Sequence, residues 1–245
     1  MLTVPECDGK LRAADVKAYL EAFYADASYT HMVFPGMVFI AHPSELGTLY
    51  SLAELEELSA LCRRYQIPLY LDGARLAYGL AAPDTDVTLA DIARLADAFY
   101  IGGTKCGALC GEAVVFPRGG MPRHFLTHAK QHGALLAKGR LLGVQFDTLF
   151  TNNLYGEVGR VAIAAADELR RILREAGCTF FRESPTNQQF VVLENAQVEA
   201  LAERIRFSTW EKLGDGRTVI RLVTSWSTTP DDLAALEAAL HEVMQ

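Results

Sequence analysis

A lysine between glycines is the first feature of this sequence that could perform covalent chemistry. Lys105 lies in the segment 102–107 (GGTKCG), directly after an apolar run that ends at Ile101. Glycines let a ligand approach the backbone closely, and a lysine in such a pocket can lose its proton and attack a carbonyl. The glycine spacing differs from that of a phosphate-binding P-loop. An ordinary surface lysine in a glycine loop is the alternative.

A carboxylate at the end of another apolar run is the second feature. Asp72 follows the run 68–71 (PLYL) and precedes Gly73. A carboxylate in this position can hold a cationic nitrogen, although Asp-Gly pairs are also common in solvated turns. Lys105 follows 33 residues later.

The elements that must position these residues alternate between short apolar runs and segments of helical periodicity. The pattern predicts helices over 13–25, 52–65 with Ser51 as N-cap, 89–95, 124–149, 155–176, 197–205 and 230–243, and strands over 37–41, 68–71, 98–101, 113–116, 179–181, 189–193, 207–212 and 219–225. Alternating strands and helices favour a mostly parallel sheet, whose ligands bind beyond the carboxyl ends of the strands. Asp72 and Lys105 are therefore expected at one edge of the sheet.

The order of predicted helices and strands changes near residue 150. Residues 1–150 have the α/β pattern, whereas residues 151–245 mix strands and helices as α+β. We therefore expect a larger domain over 1–150 and a smaller C-terminal domain over 151–245.

Composition excludes several classes of function. The net charge is −7 and the pI is about 5.4, which disfavours binding to nucleic acids and to anionic membranes. No apolar run reaches the length of a membrane span, and residues 1–10 lack a signal-peptide pattern. The five unpaired cysteines suggest free thiols in a reducing cytoplasm.

Three histidines and two tryptophans are expected to have structural rather than functional roles. His124, His128 and His132 are spaced four apart, which we interpret as a polar helix face rather than a metal site, because no acidic or cysteine ligand accompanies them. We predict no metal. Trp210 and Trp226 are expected in the core.

Several motifs together resemble the threonine aldolase and β-eliminating lyase family of pyridoxal-phosphate (PLP) enzymes. They occur in the family's order over most of the chain, from about residue 2 to 243: 45–58 (ELGTLYSLAELEEL), 71–80 (LDGARLAYGL), 101–109 (IGGTKCGAL), 111–116 (GEAVVF), 137–150 (AKGRLLGVQFDTLF) and 221–229 (RLVTSWSTT). The resemblance implies a PLP-dependent transferase-like (fold type I) architecture with a smaller C-terminal α+β domain.

The resemblance also implies roles for individual residues. Lys105 would form the Schiff base with PLP, and Asp72 would pair with the pyridinium nitrogen. Arg75 and Arg221 would hold the carboxylate of a small amino-acid substrate, and Thr104 would contact the cofactor. Lys130 and Lys138 resemble basic residues that such enzymes direct toward a neighbouring subunit's cofactor, although for Lys138 a solvated helix charge is favoured.

The implied reaction is retro-aldol cleavage of β-hydroxy amino acids, in which threonine gives glycine and acetaldehyde. Other PLP reactions, β-elimination or transamination, remain alternatives, because the cofactor performs the chemistry in each case. Family members usually have about a hundred further residues before the position of Leu2, and these carry the turn that binds the PLP phosphate. Expected explanations are a misassigned start or truncated product, a partner chain that supplies this part, or a non-catalytic remnant. An exposed apolar sheet edge and face would favour a homo-oligomer, a dimer or tetramer.

Overall fold

The structure is a computed structural model that describes residues 2–244. Its helices are α1 (Ala13–Ala25), α2 (Leu52–Tyr65), α3 (Leu76–Ala81), α4 (Leu89–Leu95), α5 (Phe125–Gln131), α6 (Arg140–Phe150), α7 (Leu154–Glu175), α8 (Asn195–Ala202) and α9 (Pro230–Val243). Its strands are β1 (Val38–Ala41), β2 (Leu69–Asp72), β3 (Ala98–Gly102), β4 (Glu112–Val115), β5 (Thr179–Arg182), β6 (Gln188–Glu194), β7 (Ser208–Lys212) and β8 (Arg217–Val223).

The first sheet has the order β1-β2-β3-β4; Asp72 is the last residue of β2, and Lys105 follows the end of β3 by three residues. β1, β2 and β3 are parallel, and β4 pairs antiparallel with β3 as an edge strand. The predicted mostly parallel sheet is therefore confirmed. In β2, Leu69 and Leu71 are buried whereas Tyr70 and Asp72 are half-buried, because successive side chains of a strand point to opposite faces.

The second sheet is antiparallel, with the order β5-β6-β8-β7. Helix α7 connects the two parts of the molecule. Its residues Tyr155, Ala162 and Ile163 belong to the core beneath the first sheet, whereas Leu169 and Ile172 belong to the core of the second. The domain boundary near residue 150 stays a prediction.

Most predicted elements occur within a few residues of their predicted bounds, and helices α1, α2, α4 and α9 begin and end where the sequence indicated. Ser51 is the N-cap of α2, where its hydroxyl accepts from the Glu54 N–H in a capping box. Hydrophobic periodicity and capping residues are strong signals for such helices.

The single long helix predicted over 124–149 is wrong. The segment forms α5 and α6, with irregular chain between them. Gly133 has a φ of +71°, a left-handed conformation that ends a helix. Helix α3 has only six residues and was not predicted, because one turn and a half leaves little periodic signal.

Within residues 2–244, no helix is both long enough and apolar enough to cross a membrane.

Candidate active site

Two glycines bring the Asp72 loop against the end of β3, three residues before Lys105. The Gly102 N–H donates to the Gly73 carbonyl over 2.9 Å. A Cβ atom on Gly73 would lie 2.1 Å from the Tyr100 carbonyl oxygen, and one on Gly102 would lie 2.2 Å from the Ala74 carbonyl oxygen. Neither position accepts a larger residue without backbone movement. This backbone contact brings the Asp72 loop and the segment leading to Lys105 to the same edge of the sheet, as the sequence predicted.

Lys105 lies in a short 3-10 turn, residues Thr104–Cys106, directly after β3. The Tyr78 hydroxyl donates to the Lys105 carbonyl oxygen from the buried face of α3. On the other side, the Gly103 N–H donates to Glu112 Oε2 over 2.6 Å. No hydrogen bond or ion pair joins the Lys105 ammonium group to another residue between 2 and 244. The backbone of the turn is thus fixed, while the amine at the tip of the side chain is available.

Asp72 is held by its own loop. Its Oδ1 accepts from the Ala74 N–H over 2.9 Å, a turn typical of aspartate at a strand end. Tyr100 lies beside it on the same sheet face, and burial together with the Asp72 carboxylate raises the pKa of the Tyr100 phenol. Tyr100 therefore stays neutral near Asp72 and can donate to it, a contact that sequence reasoning missed.

Thr104 makes a contact within the protein. Its hydroxyl donates to Glu112 Oε1 over 3.1 Å. Its predicted contact with the cofactor stays a prediction. The turn at Gly47 and Thr48, which superficially resembles a phosphate-binding turn, is used structurally. A Cβ on Gly47 would lie 2.2 Å from Ser184 Oγ, and the Thr48 hydroxyl donates to the Asp8 carbonyl over 2.7 Å.

Arg75 and Arg221, the predicted carboxylate-binding residues, share one acidic neighbour. Arg75 Nη1 lies 3.1 Å from Glu45 Oε1, and Arg221 Nη1 lies 3.9 Å from Glu45 Oε2. The structure thus brings together two residues that are far apart in sequence, Arg75 after β2 and Arg221 on β8. We call Arg75 and Arg221 the arginine pair. Burial, followed by the charge of Arg75, lowers the pKa of Arg221, whereas Glu45 opposes this shift.

Two further side chains hold Arg221. Its Nη1 donates to Gln188 Oε1 over 3.2 Å, and its guanidinium carbon lies 5.4 Å from the centre of the Trp210 ring. Trp210 is half-buried and packs edge-to-face on Phe190. Neither Gln188 nor Glu45 was predicted as a site residue. Glu45 lies within the motif 45–58, which was the signal available.

Trp226 lies beside the Lys105 turn, and Cys106 is part of it. Trp226 was expected in the core, but it is 47% exposed, and the nearest atom to a Cβ built on Gly107 is in its ring, at 3.6 Å. That expectation is wrong, because the segment after β8 runs over the surface beside the turn. Cys106 is buried, and burial raises the pKa of its thiol to about 11. This thiol stays protonated at neutral pH and is not a nucleophile.

The histidines at 124, 128 and 132 are exposed at and around α5, and Lys130 and Lys138 are exposed as well. Among the residues the structure describes, no group of three histidine, cysteine or acidic side chains could hold a metal ion. The proposed subunit roles of the two lysines stay predictions.

Comparison with known protein families gives one match over most of the chain. The model of the family described as β-eliminating lyase matches residues 2–196.

Individual relatives agree with this match. A low specificity L-threonine aldolase from Pseudomonas aeruginosa is 27% identical over 216 residues, which cover 87% of this chain and 61% of the relative. The solved structure of a threonine aldolase from Leishmania major is 40% identical, with a TM-score of 0.93, and the match covers all of this chain and 70% of that one. A serine palmitoyltransferase from Sphingomonas wittichii, 13% identical with a TM-score of 0.57 over 77% of this chain and 50% of its own, shares the fold. The chain thus spans about three-fifths of the curated relative's length.

Proposed function

The chain belongs to the β-eliminating lyase family, and on that premise we propose that it acts in a PLP-dependent lyase of the threonine aldolase type. The proposed reaction cleaves threonine and related β-hydroxy amino acids to glycine and an aldehyde. The observation that carries the proposal is the Lys105 amine, which has no ion-pair partner among residues 2–244 and whose turn follows the glycine contact with the Asp72 loop. The fold is the one shared by PLP-dependent fold type I enzymes.

The Lys105 amine and the Asp72 carboxylate at this edge of the sheet fit the functional groups of PLP. An unpaired primary amine suits the cofactor's aldehyde, and a carboxylate at a strand end suits its pyridine nitrogen. Tyr78 and Glu112 fix the backbone around Lys105, so the amine is presented from a rigid turn. When bound, PLP supplies an electron sink for negative charge at the substrate Cα.

The chain's own residues would then have distinct tasks. Lys105 supplies the amine that binds the cofactor covalently. Asp72 holds a proton at the pyridine nitrogen, and Tyr100 beside it keeps the carboxylate oriented. The arginine pair binds the substrate carboxylate, a task that suits planar guanidinium groups. Thr104 contacts the cofactor. In the overall reaction the Cα–Cβ bond breaks, the hydroxyl carbon leaves as an aldehyde, and Cα gains a proton.

The first test is covalent binding of PLP to the purified protein. A near-visible absorbance band should appear with PLP, and borohydride reduction followed by peptide mass mapping should locate the adduct on Lys105. The adduct should be absent in Lys105→Ala and present in Lys212→Ala, which removes an exposed lysine on β7. Adducts scattered over surface lysines would contradict the proposal and support the alternative of a non-catalytic remnant.

Product analysis then separates the reaction types. Incubation with threonine should yield glycine and acetaldehyde in equal amounts. Ammonia with a keto acid would instead assign β-elimination, and transfer of the amino group to an added keto acid would assign transamination.

We further propose a homo-oligomer in the cytoplasm. The open face of the first sheet supports it, because Phe39 on β1 and Val114 on β4 are each 48% exposed and Phe39 stacks on Tyr70 at 5.6 Å. Exposed apolar patches of this kind are typical of association surfaces. The cysteines, which are all free, support a reducing compartment. Light scattering coupled to size-exclusion chromatography should give a dimer or tetramer, and a stable monomer would contradict the assembly.

A further inference from the structure

Glu45 places a carboxylate against both members of the arginine pair. We propose that Glu45 occupies the substrate-carboxylate position in the ligand-free protein and competes with the substrate for it. The inference rests on the proposed function, because it takes the arginine pair as the substrate-carboxylate site.

The cationic side of this site is built rigidly. The Arg75 side chain is 11% exposed and that of Arg221 is 20% exposed. Gln188 is fully buried, accepts from Arg221 and donates its Nε2–H to the Glu45 carbonyl over 3.2 Å. Stacking on Trp210 restrains Arg221 further, since guanidinium groups are attracted to aromatic faces. Arg221 is therefore restrained by two side chains besides Glu45, and Arg75 is held by its near-complete burial.

The anionic side is movable. The Glu45 side chain is 62% exposed, while its backbone is held by Gln188. Only side-chain rotation is needed to withdraw the carboxylate into solvent. The backbone stays in place during that rotation, so the Glu45 carboxylate can return to Arg75 and Arg221 when the ligand leaves.

Charge balance gives the reason for the arrangement. Two guanidinium groups close together destabilise each other, and the charge of Arg75 accordingly lowers the pKa of Arg221. Glu45 neutralises one of the two positive charges and leaves a net positive site that still attracts an anion. The Arg221 Nε is buried and has no hydrogen-bond partner among the described residues, so Glu45 leaves this donor unsatisfied.

Competition of this kind weakens carboxylate binding by the free energy of the internal ion pair. Because Glu45 is largely exposed, its ion pair with Arg75 belongs near the weak end of measured ion pairs. Removing the Glu45 carboxylate should therefore tighten carboxylate binding roughly two- to fivefold. A ligand that lacks a carboxylate gains nothing from the removal.

The test is acetate titration of the cofactor-free chain, followed through the arginine Nε–H signals in ¹H–¹⁵N spectra. Signals are assigned with Arg75→Lys and Arg221→Lys. Glu45→Gln should lower the dissociation constant of acetate at Arg221 roughly two- to fivefold, and Glu45→Ala should do the same if the glutamine variant folds poorly. An unchanged or weaker affinity would overturn the proposal.

Two matched variants distinguish direct occupancy of the carboxylate position by Glu45 from a long-range effect of its negative charge. Glu56→Gln removes another exposed carboxylate, one that pairs with Arg94 on a different surface, and should leave the affinity unchanged. Glu45→Asp keeps the charge but withdraws the carboxylate by one methylene, so it should give part of the gain. If Glu45→Asp matches the parent while Glu45→Gln binds more tightly, the effect is electrostatic at a distance and direct occupancy is wrong.

The PLP-loaded protein provides a second readout. Glu45→Gln should lower KM for threonine by a similar factor and leave kcat nearly unchanged. A large fall in kcat at constant KM would assign Glu45 to proton transfer and overturn the inference. Tighter acetate binding without threonine cleavage would refute only the proposed function, whereas cleavage without tighter acetate binding would refute only this inference.

Discussion

The hydroxyl of Tyr78 donates a hydrogen bond to the backbone carbonyl of Lys105. Tyr78 lies on α3 and is 1% exposed, whereas Lys105 is exposed, so a core residue of one element fixes the backbone of the reactive turn. Burial raises the pKa of the Tyr78 phenol, which therefore stays a donor at neutral pH.

Replacing Tyr78 by phenylalanine should loosen this turn. The substitution keeps the ring in the core but leaves the Lys105 carbonyl without its donor, a loss of about 1–2 kcal/mol in the free energy of unfolding. Urea unfolding measures the loss, and the yield of borohydride-reduced PLP adduct on Lys105 should fall with it. Tyr19→Phe, which alters a tyrosine of α1, is the control. A full adduct yield at unchanged stability would show that the hydrogen bond does not position Lys105.

Replacing Asp72 by asparagine should separate cofactor attachment from turnover. Asparagine can still accept from the Ala74 N–H, so the loop should keep its shape. The neutral amide cannot hold a proton at the pyridine nitrogen as a carboxylate does, and loss of a charged hydrogen bond should reduce glycine formation roughly 10- to 100-fold. Mass mapping should still find the Lys105 adduct.

The matching control for Asp72→Asn is Asp86→Asn. Asp86 also accepts a backbone N–H, that of Leu52, at another place in the structure. Its substitution should leave threonine cleavage within about twofold of the parent. Equal activity of Asp72→Asn and the parent would remove Asp72 from the proposed mechanism.

His42 should make the free energy of unfolding depend on pH. It is fully buried, its Nδ1 accepts from the Tyr50 N–H over 3.3 Å, and its Nε2 has no partner among the described residues. Burial, then the nearby charge of Lys10, lowers the pKa of His42 to about 4, although Asp86 and Glu54 oppose the shift.

The sign of this dependence follows from proton binding. Between about pH 6.5 and pH 4 the unfolded chain binds a proton at this histidine and the folded chain does not, so acidification favours unfolding. The lowered pKa of His42 reduces the free energy of unfolding by about 3 kcal/mol as the pH falls from about 6.5 to 4, and it has no effect above that window. Urea unfolding at pH 4.5 and 7.5 should show a smaller difference for His42→Gln, which cannot titrate but can still accept from Tyr50. An identical difference in both proteins would exclude His42 as the source.

Gly159 should be intolerant of a methyl group. A Cβ at this position of α7 would lie 2.4 Å from the Ala77 carbonyl oxygen and 2.9 Å from Ala81 Cβ, where α7 crosses α3. Gly159→Ala should therefore lower the free energy of unfolding by about 1–3 kcal/mol, despite the better helix propensity of alanine.

Gly143 in α6 gives the matched comparison, because a Cβ there meets no atom within 4 Å. Gly143→Ala should stabilise the protein by about 0.5–1 kcal/mol. Stabilisation by both substitutions would show that α7 can move away from α3. Thermal unfolding of the two variants beside the parent decides between these outcomes.

The sequence by itself predicted the elements whose signals are local. Helix α2 begins at a capping serine and carries a leucine stripe, and β2 and β3 are apolar runs that end at Asp72 and Gly102, so periodicity and caps were sufficient. The family motifs around Lys105 are likewise short contiguous segments of sequence, and the matches to β-eliminating lyases and threonine aldolases confirm the family.

Tertiary structure alone decided the contacts between distant segments. The Tyr78 bond to the Lys105 turn, the support of Arg221 by Gln188 and Trp210, and the position of Glu45 between Arg75 and Arg221 join residues that no local pattern connects. The exposure of Trp226 and the break between α5 and α6 likewise depend on how the chain packs. Hydrophobic periodicity shows which face of an element is buried but not which neighbour covers it. The partners of these polar side chains therefore follow only from the folded arrangement.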